Sequence, residues 1–94
     1  GIHDIILDPG FGFSKTTEQN YALLEKLQDF SFLNHPILVG VSRKSMIYNV
    51  LGSTPENSLN GSSILNTISI AKGANFLRVH DVREAREIIR LMEQ

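Results

Sequence analysis

Three short polar clusters hold most of the residues in this chain that could do chemistry. They are Asp8-Pro9-Gly10-Phe11-Gly12-Phe13-Ser14-Lys15-Thr16, Gly40-Val41-Ser42-Arg43-Lys44-Ser45 and Arg78-Val79-His80-Asp81. In the first, the Asp8 carboxylate can accept hydrogen bonds from an amino-substituted heterocycle. Two glycines let backbone approach a ligand closely, and Phe11 and Phe13 offer flat apolar faces. An equally simple reading makes Asp8 a strand-ending residue that caps a turn, with the phenylalanines packed beneath it. A nucleotide phosphate loop is excluded. Lys15 stands where the third glycine of Gly10-x-Gly12-x-x-Gly should be, and no glycine immediately precedes that lysine.

The second cluster puts two hydroxyls and two cations at the start of a helical pattern, where free N–H groups and the helix dipole favour an anion. Cations there oppose the dipole, a local cost that hints at function. For Arg43 the plainer expectation is a side chain extended into solvent. In the third cluster, strand alternation turns Arg78 and His80 one way and Val79 the other. Arg78 and His80 could then form an anion pocket, or Arg78 could pair with an aspartate while hydrogen bonds satisfy the histidine. His3, His35 and His80 have no partner at metal-site spacing, and no serine sits in G-x-S-x-G. The triplet Asn60-Gly61-Ser62 matches a glycosylation acceptor, a match common by chance.

The elements that must position these clusters follow from hydrophobic periodicity. Residues 4–8, 37–41 and 75–79 are apolar runs that read as strands. Their ends at Asp8, Val41 and Val79 lie 33 and 38 residues apart, the spacing of parallel βα units. Thr16-x-x-Gln19 fits a capping box, and Leu23, Leu24, Leu27 and Phe30 predict a helix over residues 17–29, broken by Asn34-His35-Pro36. A short helix is expected from Met46 to Leu51. A second helical stripe runs through Leu59, Ile64, Leu65, Ile68 and Ala71 to Lys72-Gly73, and a last one through Val82, Ala85, Ile88, Ile89 and Met92. The order is β-α-β-α-β-α in an α/β fold. Right-handed crossovers then bring all three clusters to one rim, the carboxyl edge where α/β folds bind ligands.

Composition narrows the partners. The 94 residues are 41% apolar and carry nine basic against ten acidic side chains, a formal charge of −1 with no long run of either sign. No nucleic acid or anionic lipid surface is expected. No apolar stretch approaches the ~18–20 residues of a membrane helix, and no secretory leader is read. Zero cysteines remove disulfides and thiolate sites. Because Gly1-Ile2-His3 leads straight into an apolar run without a methionine, the chain reads as part of something longer.

The motifs Asp8-Pro9-Gly10-Phe11-Gly12-Phe13-x-Lys15-Thr16, Gly40-x-Ser42-Arg43-Lys44-Ser45 and Arg78-Val79-His80-Asp81-Val82 resemble the last three signature segments of the dihydropteroate synthase family, in the same order. The resemblance extends over nearly the whole chain, including Asn20-Tyr21-x-Leu23-Leu24 and the Asn60-Gly61-Ser62 region. It implies a TIM-barrel (β/α)8 fragment: residues 1–94 would be the C-terminal part of a single pterin-binding domain, its sixth to eighth units. The implied activity joins 6-hydroxymethyl-7,8-dihydropterin diphosphate to p-aminobenzoate, giving 7,8-dihydropteroate and diphosphate. By position, Asp8, Lys44 and Arg78 would bind the pterin; Phe13, Lys44 and Ser45 the p-aminobenzoate, hence also sulfonamides; and Arg78 and His80 the diphosphate. Lys44, Arg78 and His80 would be the catalytic set. Mg2+ is implied as cofactor, with its protein ligand in the units that precede this segment, and the full enzyme would be a cytoplasmic homodimer.

Ser14 departs from the glycine many members have there. The isolated segment is expected to lack turnover, because half of the site would come from the other units, and its uncovered sheet edges predict association. Two other readings stand beside this one. A non-catalytic pterin- or anion-binding module would use Asp8 and Lys44 as a pocket. A methyltetrahydrofolate-binding methyltransferase domain would share an Asp-and-Asn pterin pocket but lack the second and third motifs.

Overall fold

The continuous apolar run Ile37-Leu38-Val39-Gly40-Val41 makes a buried strand, and this strand is the centre of the sheet. The computed structural model describes residues 6–12 and 15–94. Strand β1 (Leu38–Val39) pairs in parallel with β2 (Phe76–Leu77), Leu38 opposite Phe76 and Val39 opposite Leu77. On its other side, Leu7 forms a parallel bridge to Ile37. The Leu7 N–H donates to Pro36 O at 2.8 Å, and the Leu38 N–H to Leu7 O at 2.8 Å. The three predicted runs therefore lie side by side and parallel. Regular pairing is shorter than the apolar runs, and residues 4 and 5 of the first run lie outside the described residues.

Between the strands lie α1 (Thr17–Glu25), a 3-10 turn (Leu27–Leu33), α2 (Ser45–Leu51), a second 3-10 turn (Pro55–Asn57), α3 (Leu59–Ala71) and, after β2, α4 (Val82–Met92). The capping box forms as predicted: Gln19 N–H donates to Thr16 Oγ1 at 3.1 Å, and Thr16 N–H to Gln19 Oε1 at 2.9 Å. Helix α1 nevertheless stops at Glu25 rather than residue 29. The reason is a change of period: Leu27, Phe30 and Leu33 recur every third residue, which suits three residues per turn. The Asp29 N–H accordingly reaches the Lys26 carbonyl at 2.9 Å.

The helices cover one face of the sheet. Ile37, Val39 and Val41 are almost fully buried there against Leu24, Leu27, Met46, Ile47 and Leu65. Helix α3 buries only part of its predicted stripe: Leu65 lies in the core and Ile68 packs against it, while Ala71 is exposed. Its buried positions are Gly61, Ser62, Leu65, Asn66 and Ser69, while Ile64 is half exposed. Close packing decides this, since a Cβ on Gly61 would collide with Ile47 Cγ2 of α2. Ser62 and Ser69 tolerate burial because each hydroxyl donates to a carbonyl one turn back, Ser58 O at 2.8 Å and Leu65 O at 2.7 Å. Helix α4 buries only Ala85, leaving Val82, Ile89, Leu91 and Met92 exposed.

Candidate functional site

Each strand delivers its polar cluster at its carboxyl end, so the three clusters meet on one rim. Asp8 follows the Leu7 bridge, and Arg78 follows β2 with its N–H bonded to Val39 O at 2.9 Å. Asp8 caps a turn, the plainer of its two sequence readings, and is also the aspartate that pairs with Arg78. One carboxylate oxygen accepts the Gly10 N–H at 2.9 Å, closing a turn, and the other lies 3.6 Å from Arg78 Nη1. The Arg78 and Asp8 side chains stay 60% and 38% exposed, open to a ligand.

Gly40 makes this pair possible. A Cβ at residue 40 would sit 2.6 Å from Arg78 Nη2 and 3.1 Å from its Cζ, so the guanidinium lies where any other residue would place its side chain. The expected alternation is present in the third cluster, with Arg78 and His80 exposed and Val79 half-buried. Lys44 leaves the end of β1 as the N-cap of α2 and donates its Nζ to Phe11 O. Lys15 Nζ donates to Gly10 O at 2.7 Å. The first loop is thus held by two lysines. Burial, and then the neighbouring Arg78 charge, push the Lys44 ammonium below the usual lysine value. Ser45 opens α2 and, with Phe11, Gly12, Arg43, Lys44 and Tyr48, lines a pocket of about 230 Å³. Phe11 is buried beneath the loop, so its ring packs the core instead of facing a ligand; Phe13 lies outside the described residues.

Arg43 departs from the expectation of a solvated side chain. Its Nε and Nη2 reach the two Asp81 oxygens at 2.9 and 2.8 Å, and Nη1 donates to Pro55 O and Glu56 O at 2.7 and 3.1 Å. The partners that displace solvent come from the neighbouring loops, and their bonds hold Arg43 at a φ of +54°. Asp81 is held below its usual carboxylate range by the hydrogen bond from Arg43.

Three further residues, joined by Ser42 of the second cluster, hold the site without having been singled out by chemistry. Asn20, almost fully buried, grips the first loop by accepting from Gly12 N–H and donating to Gly12 O, both at 3.2 Å. Tyr21 donates its hydroxyl to Met46 O at 2.7 Å. Ser62 accepts the Arg43 N–H at 2.8 Å, and Ser42 accepts the His80 N–H at 3.3 Å. Asn20 did leave a signal: it stands one and two turns ahead of Leu24 and Leu27, a polar residue on the buried stripe of α1.

A parallel sheet that gathers a carboxylate, an arginine, a lysine and a histidine on one rim is the site architecture of a barrel enzyme, and the chain belongs to the pterin binding enzymes, whose family model matches residues 1–80. Within that family it is similar to dihydropteroate synthases. It is 47% identical over 89 residues to the Escherichia coli (strain K12) enzyme, covering 95% of this chain and 32% of that protein. To the Bacillus subtilis (strain 168) enzyme it is 41% identical over 90 residues, covering 96% and 32%. Its structure superposes on the Yersinia pestis enzyme with a pterine-sulfa conjugate at a TM-score of 0.91 and 42% identity, over 94% of this chain and 35% of that one. The Coxiella burnetii enzyme in complex with pteroic acid gives 0.90 and 43%, over 95% and 34%. The chain spans about a third of the length of the relatives it matches. Its fold is the α/β architecture of that third of a (β/α)8 barrel. Among the described residues no helix is long and apolar enough to cross a membrane.

Proposed function

We propose that this segment supplies the late-unit half of a dihydropteroate synthase site, the enzyme that condenses 6-hydroxymethyl-7,8-dihydropterin diphosphate with p-aminobenzoate. The observation behind this reading is the meeting of Asp8, Lys44 and Arg78 on one rim, with Gly40 cleared for the guanidinium. In it Asp8 accepts from the pterin's amino group and ring nitrogen, while Lys44 donates to the carbonyl side of the ring and Arg78 lies over its face. Phe13 and the stem of Lys44 flank p-aminobenzoate, with Ser45 beside its carboxylate.

The reaction breaks the bond between the pterin methylene carbon and the diphosphate oxygen, whose electron pair departs with diphosphate. The aromatic amine then forms the new C–N bond and releases its proton. Arg78 and His80 hold the leaving diphosphate, where negative charge develops in the transition state and fixed cations act most strongly. Among the described residues no three His, Asp or Glu side chains gather around a possible metal position. Mg2+, where the complete barrel uses it, would be held by residues of the other units. The setting as a cytoplasmic homodimer is likewise part of this reading.

The test replaces the matching 89-residue stretch of the Escherichia coli relative with this chain. The folded graft should form dihydropteroate, Asp8→Asn should abolish pterin binding, and the 94-residue chain alone should show no turnover. A folded graft that binds pterin through Asp8 yet forms no product supports the non-catalytic module instead.

A further inference from the structure

Arg43 uses its backbone and its guanidinium to tie three loops together, and none of its bonds is to a residue of the proposed ligand site. The Arg43–Asp81 contact is bidentate, the geometry in which arginine and carboxylate fix each other's orientation. It spans from the loop after β1 to the residue just ahead of α4. The Nη1 bonds to Pro55 O and Glu56 O reach the α2–α3 connection. That connection is itself closed on Arg43. Arg43 N–H donates to Ser62 Oγ, Ser62 Oγ to Ser58 O at 2.8 Å, and Ser58 Oγ to Pro55 O at 2.6 Å, the carbonyl Nη1 also uses. Ser58 and Ser62 are nearly or fully buried, so the serine links of this network are shielded from water, while the Arg43 and Asp81 side chains keep 23% and 21% of their exposure.

The network sits between two residues of the proposed reaction. Lys44 is next to Arg43 in sequence, and His80 precedes Asp81 and donates its N–H to Ser42. A left-handed backbone at a residue with a Cβ is uncommon and persists where surrounding bonds hold it. Here those bonds hold the turn that aims Lys44 towards Phe11 O.

We propose that Arg43 is a positioning residue that sets the separation of Lys44 from His80 by pinning Asp81 and the Pro55 and Glu56 carbonyls, an inference that rests on the function proposed above. Its contribution to reaction is geometric, since a misplacement of about 1 Å at a reacting pair can cost about a hundredfold in rate.

The test compares Arg43→Lys, Asp81→Asn and the double variant in the complete barrel carrying this segment. Arg43→Lys keeps the charge and loses the fork. Each single variant should lower kcat about tenfold, with KM for p-aminobenzoate changed by less than kcat, and the double should be no worse than the poorer single. Amide NMR should show the Lys44 and His80 resonances shifted in all three, with Leu24 and Leu27 of the core unmoved. Losses that multiply, or a kcat within twofold of wild type in folded variants, overturn the proposal. Unmoved Lys44 and His80 resonances overturn it even if wild type turns nothing over, an outcome that by itself refutes only the catalytic reading. A variant too unstable to assay is replaced by Asp81→Glu, which should restore most of the lost rate by re-forming the fork; failure of that rescue also counts against the proposal.

Discussion

Residues 37–41, the apolar run that contains β1, turn their two faces to opposite environments. Towards the helices, Ile37, Val39 and Val41 are 2%, 0% and 0% exposed, packed with Leu27 and Met46 in a core free of charge. Towards the other side the strand offers Leu38 and then Gly40, over which Arg78 reaches towards Asp8. The first face is satisfied within this chain. The second holds unlike charges 3.6 Å apart in the open, where a surface pair contributes little to stability. The difference teaches where function and folding divide: the helix face supplies the burial, and the rim groups are free to be spent on a ligand.

The strongest way to break that division is to remove Arg78. In the complete barrel, Arg78→Ala should lower kcat/KM for the pterin diphosphate by about a hundred- to a thousandfold, the range for losing one group that stabilises developing negative charge. Thermal unfolding should barely change. A large fall in melting temperature with little loss of activity would move Arg78 to the folding side. The mirror experiment is Leu27→Ala, which empties a fully buried site in the core. It should destabilise the fold by about 2–5 kcal/mol in denaturant titration. Turnover per folded molecule should stay near wild type.

Gly40 belongs to both faces and so sharpens the boundary. Gly40→Ala adds a methyl group at 2.6 Å from the Arg78 guanidinium, the end of a flexible and largely exposed side chain. The guanidinium should swing away from Asp8 without unfolding the strand. Activity should fall about tenfold through misplacement of Arg78, and Arg78→Ala in the same background should add less than it does alone. Full additivity in this double-mutant cycle would show that the methyl group acts elsewhere.

How much of this the sequence made legible follows the same division. The central strand could be read from the apolar run at residues 37–41, and the rim from polar residues that end each apolar run. Both signals are local. Arg43 could not be read, because its partner Asp81 lies 38 residues away and its positive φ is imposed by the network around it. Part of the buried face of α3 was hidden for a related reason: the closeness of α2 selects Gly61 and small hydroxyl residues over part of the stripe that periodicity favours. The end of α1 was legible in principle, since Leu27, Phe30 and Leu33 already switch to a period of three. The roles carried over by resemblance needed the spacing of three motifs together; no single cluster outweighed its structural explanation.

The smallest effect concerns how far the rim cations act as one group. Burial is the first cause that lowers the Lys44 pKa; Arg78 adds to it, Asp8 opposes it, and Lys15 lowers it slightly further. Between that lowered value and the ordinary 10.5, the unfolded chain keeps a proton that the folded chain has lost. Stability therefore rises with pH across that window, and below it the fold carries the cost of a partly desolvated charge. Relative to Lys44→Met, which cannot titrate, wild type should gain stability as pH climbs towards 10.5. Arg78→Gln should move the Lys44 titration, followed by NMR of its ε-methylene, upwards but short of the ordinary value, because burial remains. If the titration does not move, the Arg78 charge does not reach Lys44, and the open face is two separate sites sharing a rim.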